Sequence, residues 1–249
     1  MRFPILRGGI TDFYLRLKLF FRLVDKLSIK VLVPSEYASR FYQDVIAKDK
    51  IRVMTQAVEL SFVVNANQDV VRHEHYTILL VGAFDSNKGQ IELLQAVKDI
   101  VDEGKDIYCY LVGHDIGLMF ACQEYIRKNN LDNFVEIVPF TEYIYQYYNK
   151  ADVLLVCSAL ESFGRVAVEA QMCGLPVILS DVGANPERIE NGVNGLLYRK
   201  GDVDDLVEKI EMLREVTVRK AFSENIDMSM LGEKYSTDSF ALDFLTLMK

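Results

Sequence analysis

From Thr77 onward, short apolar runs alternate with longer amphipathic segments. The runs TILLVG, IYCYLVG, FVEIVPF, ADVLLVCS and PVILS have strand length and are mostly apolar without interruption, as expected of strands buried on both faces. Between them lie QIELLQAVKDIVDEG, MFACQEYIRKNN, YIYQYYNK and RVAVEAQMC, which carry helical spacing or helical content. After PVILS the pattern predicts a helix at PERIE, a turn at NGVNG, a short LLY strand, a helix at DVDDLVEKIEMLREV and a last helix at STDSFALDFLTLMK. Strands that alternate with helices in this way predict an α/β fold, a doubly wound parallel Rossmann-like sheet with right-handed crossovers.

The chain before Thr77 is less regular. Residues 1–9 hold the breakers Pro4 and Gly8-Gly9. A helix is predicted over 11–27, with Thr11 or Asp12 as its cap and the cations Arg16, Lys18, Arg22 and Lys26 along it. One reading is a peripheral membrane helix that turns these cations to anionic lipid. The favoured reading is a packing helix with solvated charges, because its apolar residues occupy too much of the circumference for one clean face. SIKVLVP then predicts a strand, SEYASRFYQDVIA a helix capped by Ser35, and IRVMTQAVEL an extended run. The polar, mixed stretch 63–76 reads as a linker, so the domains are expected at 1–62 and 77–232, with a terminal helix in 233–249.

Composition narrows the function classes. Half of the 249 residues are hydrophobic, enough for a sizeable core. A net charge of −8 argues against nucleic acid as a partner, which usually meets a basic surface. An acidic chain that binds phosphate must use a local device, such as a helix N-terminus with one or two cations. Cys109, Cys122, Cys157 and Cys173 show no close pairing and read as buried thiols of a reducing compartment. His73 and His75 lack partners at metal-ligand spacing and read as surface histidines. No run reaches the ~18 apolar residues of a membrane span, and a cytoplasmic location is expected, with contact at the inner membrane face if the basic helix serves there.

The candidate chemistry concentrates in residues 151–183, ADVLLVCSALESFGRVAVEAQMCGLPVILSDVG. A buried strand ends in the polar turn Glu161-Ser162-Phe163-Gly164; a helix opens at Arg165 and stops before Gly174-Leu175-Pro176. Unpaired N–H groups at such a helix start, at the end of a strand in an open α/β sheet, form a site for anions and above all phosphates. Two carboxylates flank it, Glu161 in the turn and Glu169 on the helix, with seven residues between them. With its turn, helix end and proline-led strand, this Glu-seven-Glu stretch resembles the donor-binding signature of the retaining GT-B glycosyltransferases called group 1. Asn185-Pro186-Glu187 and the glycines 192 and 195 match further passages of that family; their expected work is turn geometry and capping.

The loop Val81-Gly82-Ala83-Phe84-Asp85-Ser86-Asn87-Lys88-Gly89 contains no G-x-G-x-x-G, so a dinucleotide site is not supported. It resembles the family's strand-end loop that closes with Lys-Gly and gives a cation to the donor diphosphate. Many members carry arginine directly after the first glycine; here that residue is Ala83, which leaves Lys88 with more of the positive charge. The resemblance implies transfer of a hexosyl group from a UDP- or GDP-sugar to a glycan, lipid-linked or small-molecule acceptor, with retention. It makes Lys88 and Glu161 candidate catalytic residues, and Gly82, Lys88, Glu161, Ser162, Phe163, Gly164, Arg165, Val166 and Glu169 candidate donor-binding residues. Glu169 would hold the ribose hydroxyls, Glu161 the sugar, and the amides of Arg165 and Val166 the leaving phosphate. No metal or other cofactor is implied; Asp202 and Asp204 sit at a helix start and read as capping.

A complete GT-B enzyme has two α/β domains, and residues 1–62 resemble only a remnant of the acceptor-side N-terminal domain. A truncated chain, one subunit of a split transferase, and a non-catalytic nucleotide-sugar-binding subunit that needs a partner chain are the alternatives. Residues 11–27 would then meet that partner or form a homo-oligomer. In the family the last helix commonly crosses back onto the first domain, so 233–249 is expected to pack on the N-terminal segment and to complete the C-terminus.

Overall fold

Ser35 takes an extended backbone and its Oγ accepts from the Ala38 N–H at 3.1 Å, so the strand before it stops and a helix begins. The computed structural model describes residues 20–27, 30–59 and 75–247. Two units are present, Met1–Thr55 and Gln56–Lys249. In the first, residues 20–27 are helical. The strands β1 (Val31–Val33) and β2 (Ile51–Val53) form a parallel pair, with helix α1 (Glu36–Tyr42) between them in sequence. Val33, Ala38, Ile46 and Ile51 make its small core, with Phe21 against it, while Phe20, Leu23 and Leu27 are exposed. The predicted strand SIKVLVP and the extended run IRVMTQAVEL each hold three paired residues, because the ladder between them ends there. The first part of the helix expected over 11–27, His73 and most of the linker expected over 63–76 lie outside the described residues.

The second unit is a six-stranded sheet in the order β5-β4-β3-β6-β7-β8, parallel at every pairing. Its strands are β3 (Thr77–Val81), β4 (Tyr108–Gly113), β5 (Val135–Pro139), β6 (Val153–Val156), β7 (Val177–Ser180) and β8 (Gly195–Tyr198). The uninterrupted apolar runs have a simple origin, because successive side chains enter two different cores. Ile78 and Leu80, Cys109 and Leu111, Val153 and Leu155, and Ile178 point to one face. Leu79, Tyr110, Val112, Leu154, Val156, Val177 and Leu179 point to the other. On the first face lie α2 (Gln90–Asp102), α3 (Met119–Lys128), α6 (Val203–Arg214) and α7 (Val216–Glu224), through residues such as Leu93, Ile126, Ile210 and Phe222. On the second lie α4 (Tyr145–Lys150) and α5 (Arg165–Met172), through Tyr148, Ala167 and Ala170. Each fully buried Leu or Ile contributes about 1.5–3 kcal/mol, so these two cores hold the unit.

Helix α5 is also covered from outside. Its Val168 and Met172 join Val58, Phe163, Ile226, Leu231 and Tyr235 in a third cluster, to which α8 (Met228–Tyr235) contributes. A last helix, α9 (Thr237–Leu247), has no buried residue. PERIE was expected to be a helix and is a single 3-10 turn, Asn185–Glu187, with Pro186 in its first positions. The helix expected over DVDDLVEKIEMLREV ends at Arg214, where Glu215 turns to an extended backbone, accepts from the Thr217 N–H at 3.4 Å and starts α7. Asp202 caps α6 as expected, its carboxylate accepting from the Asp205 N–H at 3.1 Å.

Candidate functional site

In open parallel sheets, ligands bind beyond the carboxyl ends of the strands where the order of connection reverses. That reversal lies between β3, from which the chain proceeds outward to β4 and β5, and β6, from which it proceeds to β7 and β8. The loop after β3 carries Lys88 and the loop after β6 carries Glu161. The fold therefore brings together two residues 73 positions apart: Lys88 Nζ lies 3.0 Å from Glu161 Oε2.

Each loop is built rigidly. After β3, Phe84 is fully buried and the Gln90 side chain donates to the Ala83 carbonyl at 2.8 Å. Asp85 Oδ1 accepts from the amides of Asn87 at 2.8 Å and Lys88 at 3.0 Å, which turns the chain toward the crevice. Gly82 leaves room for the lysine stem, since a Cβ there would lie 3.2 Å from Lys88 Cγ. After β6, Ser158 Oγ donates to Glu161 Oε2 at 3.3 Å, and the Gly164 amide donates to Glu161 Oε1, also at 3.3 Å. A chain of buried polar groups supports this turn from below. Ser180 Oγ donates to the Ser158 carbonyl at 2.7 Å, and Asn185 Nδ2 donates to the Ser180 carbonyl at 3.0 Å.

Ser162 is exposed in the turn, and Phe163 is the anchor beneath it. The Phe163 ring packs against the buried Arg188 guanidinium at 4.7 Å and edge-on to Tyr235 at 5.7 Å. Arg188 Nη1 donates to the Tyr235 hydroxyl at 2.9 Å. Gly164 then leads into α5, whose first amides, those of Arg165 and Val166, belong to the turn that intrahelical bonding leaves open. The positive end of the helix dipole lies there as well.

Glu169 lies one turn into α5. It is 8 % exposed, so the expected pattern of two acids flanking a helix start joins a crevice acid with a largely buried one. Its Oε2 accepts from the Tyr148 hydroxyl at 2.7 Å, and its Oε1 lies 3.4 Å from Arg165 Nε. Burial pushes its pKa above the usual carboxylate range, while the Tyr148 hydrogen bond and the Arg165 charge oppose that rise. The remaining exposed edge faces a cavity of about 380 Å³ lined by Ala57, Val58, Glu59, Arg165, Glu169 and Thr237. Such a place suits a neutral polar ligand group with adjacent hydroxyls, because a carboxylate accepts from two O–H donors at once.

Three partners of the candidate residues carry no signal in the linear chain: Tyr148, Ser158 and Arg188. Tyr148 stands among three other tyrosines in YIYQYYNK, and only its burial in the fold sets it apart.

The chain matches the family model for glycosyl transferases group 1 over residues 65–227. It is 33% identical over 227 residues to an uncharacterized glycosyltransferase of Methanocaldococcus jannaschii, covering 89% of this chain and 58% of that protein. A protein of the cps region of Klebsiella pneumoniae is 34% identical over 194 residues, covering 75% of this chain and 52% of that one. The chain thus spans about half the length of these curated relatives. Among solved structures, a glycosyltransferase of Rickettsia africae superposes with a TM-score of 0.83 at 22% identity, covering 92% of this chain and 66% of that one. The Anabaena protein HepE, in complex with UDP and glucose, superposes with a TM-score of 0.82 at 21% identity, covering 94% of this chain and 66% of that one. Likeness at this identity speaks for the fold; with the family match over most of the second unit, it follows that the chain belongs to the group 1 glycosyltransferases.

Proposed function

We propose that this chain provides the donor half of a glycosyltransferase and binds a nucleoside-diphosphate hexose at the crevice between the ends of β3 and β6. The observation that carries the reading is the convergence of Lys88, Glu161 and the start of α5 at the reversal of the sheet. Anabaena HepE, which shares this fold, has been solved with UDP-glucose, and the same class of ligand suits the groups present here. Charge develops on the leaving diphosphate as its bond to the anomeric carbon breaks. The Lys88 ammonium and the amides of Arg165 and Val166 are the donors for that charge, and Glu169 receives the ribose hydroxyls. Glu161 already holds Lys88, Ser158 and the Gly164 amide. It therefore serves as a fixed acceptor for sugar hydroxyls rather than as a nucleophile. In retaining transfer, the acceptor oxygen bonds to the anomeric carbon on the face the diphosphate leaves, and the acceptor proton passes to that diphosphate.

A second reading is favoured by one observation. Among the described residues, the first unit holds a two-stranded parallel sheet, smaller than a sheet of ordinary size. In that reading the chain is a nucleotide-sugar-binding subunit whose partner chain supplies the acceptor site. Titration calorimetry with UDP, GDP and their hexose conjugates tests both. Binding below millimolar is expected; heats at the buffer baseline at millimolar nucleotide would sink the donor reading. Hydrolysis or transfer by the chain alone would decide against the partner-dependent reading.

The raised pKa of Glu169 gives the binding a predicted pH dependence. Burial disfavours the carboxylate, so protonation begins at a higher pH than for an exposed glutamate, and the proposed ribose contact is lost as pH falls through that raised pKa. The groups facing it are Arg165 and Tyr148, the Cys173 thiol, pushed up to about 12 and so neutral, and Glu59 across the cavity. UDP titrates too, so the informative quantity is the difference between the native chain and Glu169→Gln. Tyr148→Phe removes a bond that favours the carboxylate and should move this limb to still higher pH. A limb unchanged in both variants would separate Glu169 from nucleotide binding.

A further inference from the structure

Residue 87 stands immediately before the crevice lysine, and residue 160 immediately before the crevice glutamate. The two are joined by a reciprocal pair of hydrogen bonds across 73 residues of chain: Asn87 Nδ2 donates to the Leu160 carbonyl at 3.1 Å, and the Leu160 amide donates to Asn87 Oδ1 at 2.9 Å. A third bond continues the pairing, the Ala159 amide donating to the Asn87 carbonyl at 2.7 Å. Only a side-chain amide on a stem of this length supplies both a donor and an acceptor in that geometry, mimicking an added strand residue between loops that no ladder joins. The Leu160 side chain is exposed, so the bonds are not a by-product of core packing. The backbone N–H of Asn87 is held by Asp85, which also holds the backbone N–H of Lys88.

We propose that Asn87 is a positioning residue that latches the β3 loop to the β6 loop, and so sets the place of the Lys88 ammonium relative to Glu161 and the donor diphosphate. This rests on the donor reading of Lys88. Without the latch the two loops keep the Ala159–Asn87 backbone bond but lose the pair that fixes their register. Lys88 must then be ordered when the nucleotide binds, at a cost set by one long, rotamer-rich side chain.

A double-mutant cycle with UDP or GDP as the probe, read by calorimetry, tests the latch. Asn87→Ala should weaken nucleotide binding about five- to tenfold in the native background. In a Lys88→Met background it should have almost no further effect, because there is no ammonium left to place. A residue that merely supports the fold would cost the same in both backgrounds, and that result overturns the proposal, as does unchanged affinity in Asn87→Ala. If Lys88→Met itself leaves the affinity unaltered, or no nucleotide binds the native chain, the donor reading falls and the latch with it. If Lys88→Met weakens binding but Asn87→Ala is additive, only the latch falls. Should Asn87→Ala not fold, Asn87→Asp serves in the same cycle; it keeps the acceptor for the Leu160 amide and cannot donate to the Leu160 carbonyl.

Discussion

Replacing Glu169 by alanine is expected to weaken UDP binding a hundredfold or more. A carboxylate that accepts from two ribose hydroxyls makes two charge-assisted bonds, each worth about 1.5–3 kcal/mol, and every 1.4 kcal/mol is tenfold in affinity. The free protein is expected to lose little stability. The deletion removes the acceptor that Glu169 gives the Tyr148 hydroxyl, yet it also removes a carboxylate whose burial is costly. Glu169→Gln separates these effects, since the amide oxygen can still accept from Tyr148 while the charge is gone. It should lose roughly tenfold by the same scale, less than alanine. Calorimetry for affinity and a thermal melt for stability check the pair. Native-like UDP affinity in both variants would show that the ribose is held elsewhere.

A large stability effect is expected at Gly183, in the turn after β7. Its φ is +59°, and a Cβ built on it would lie 2.1 Å from the Glu161 carbonyl oxygen and 2.8 Å from the Glu161 nitrogen. That carbonyl accepts the Ala184 amide at 2.8 Å, so neither partner can retreat without breaking the contact between the two turns. Gly183→Ala should cost about 1–2 kcal/mol for the left-handed backbone and about 1–3 kcal/mol for overpacking, a fall in melting temperature of roughly 10 °C. Gly192 is the control. It has φ +83° but open space around its missing side chain, so Gly192→Ala should show the backbone cost alone. Equal melting temperatures for the two variants would mean that the approach to Glu161 contributes nothing. Gly183→Ala should also weaken nucleotide binding, because the displaced group belongs to the residue that holds Lys88.

What the sequence made legible followed from local physics. The buried strands announce themselves because each side chain enters one of two cores, as Ile78, Leu79 and Leu80 do in turn. Glu161, the turn and Glu169 fall in one continuous segment, so their chemistry is visible without a fold. Element ends are less legible. Nothing local in LREVTV reveals that Glu215 will break one helix and cap the next. PERIE has helical composition but too few residues after its proline to continue beyond one 3-10 turn. Least legible are partners distant in the chain. Tyr148 meets Glu169 across 21 residues and Asn87 meets Leu160 across 73, and both pairs exist only because β3 and β6 are neighbours and α4 packs beside α5 on one face of the sheet.

Helix α5 lies between two apolar layers, the sheet on one side and the cluster of Phe163, Ile226, Leu231 and Tyr235 on the other. The amides proposed to receive the diphosphate are thus carried by one of the most enclosed helices of the unit rather than by a mobile loop. Little conformational entropy remains there to be lost when an anion arrives. Affinity for the nucleotide can then rest on few contacts, and differences in preference for one sugar or another must arise in the loops around this helix, not in the helix itself.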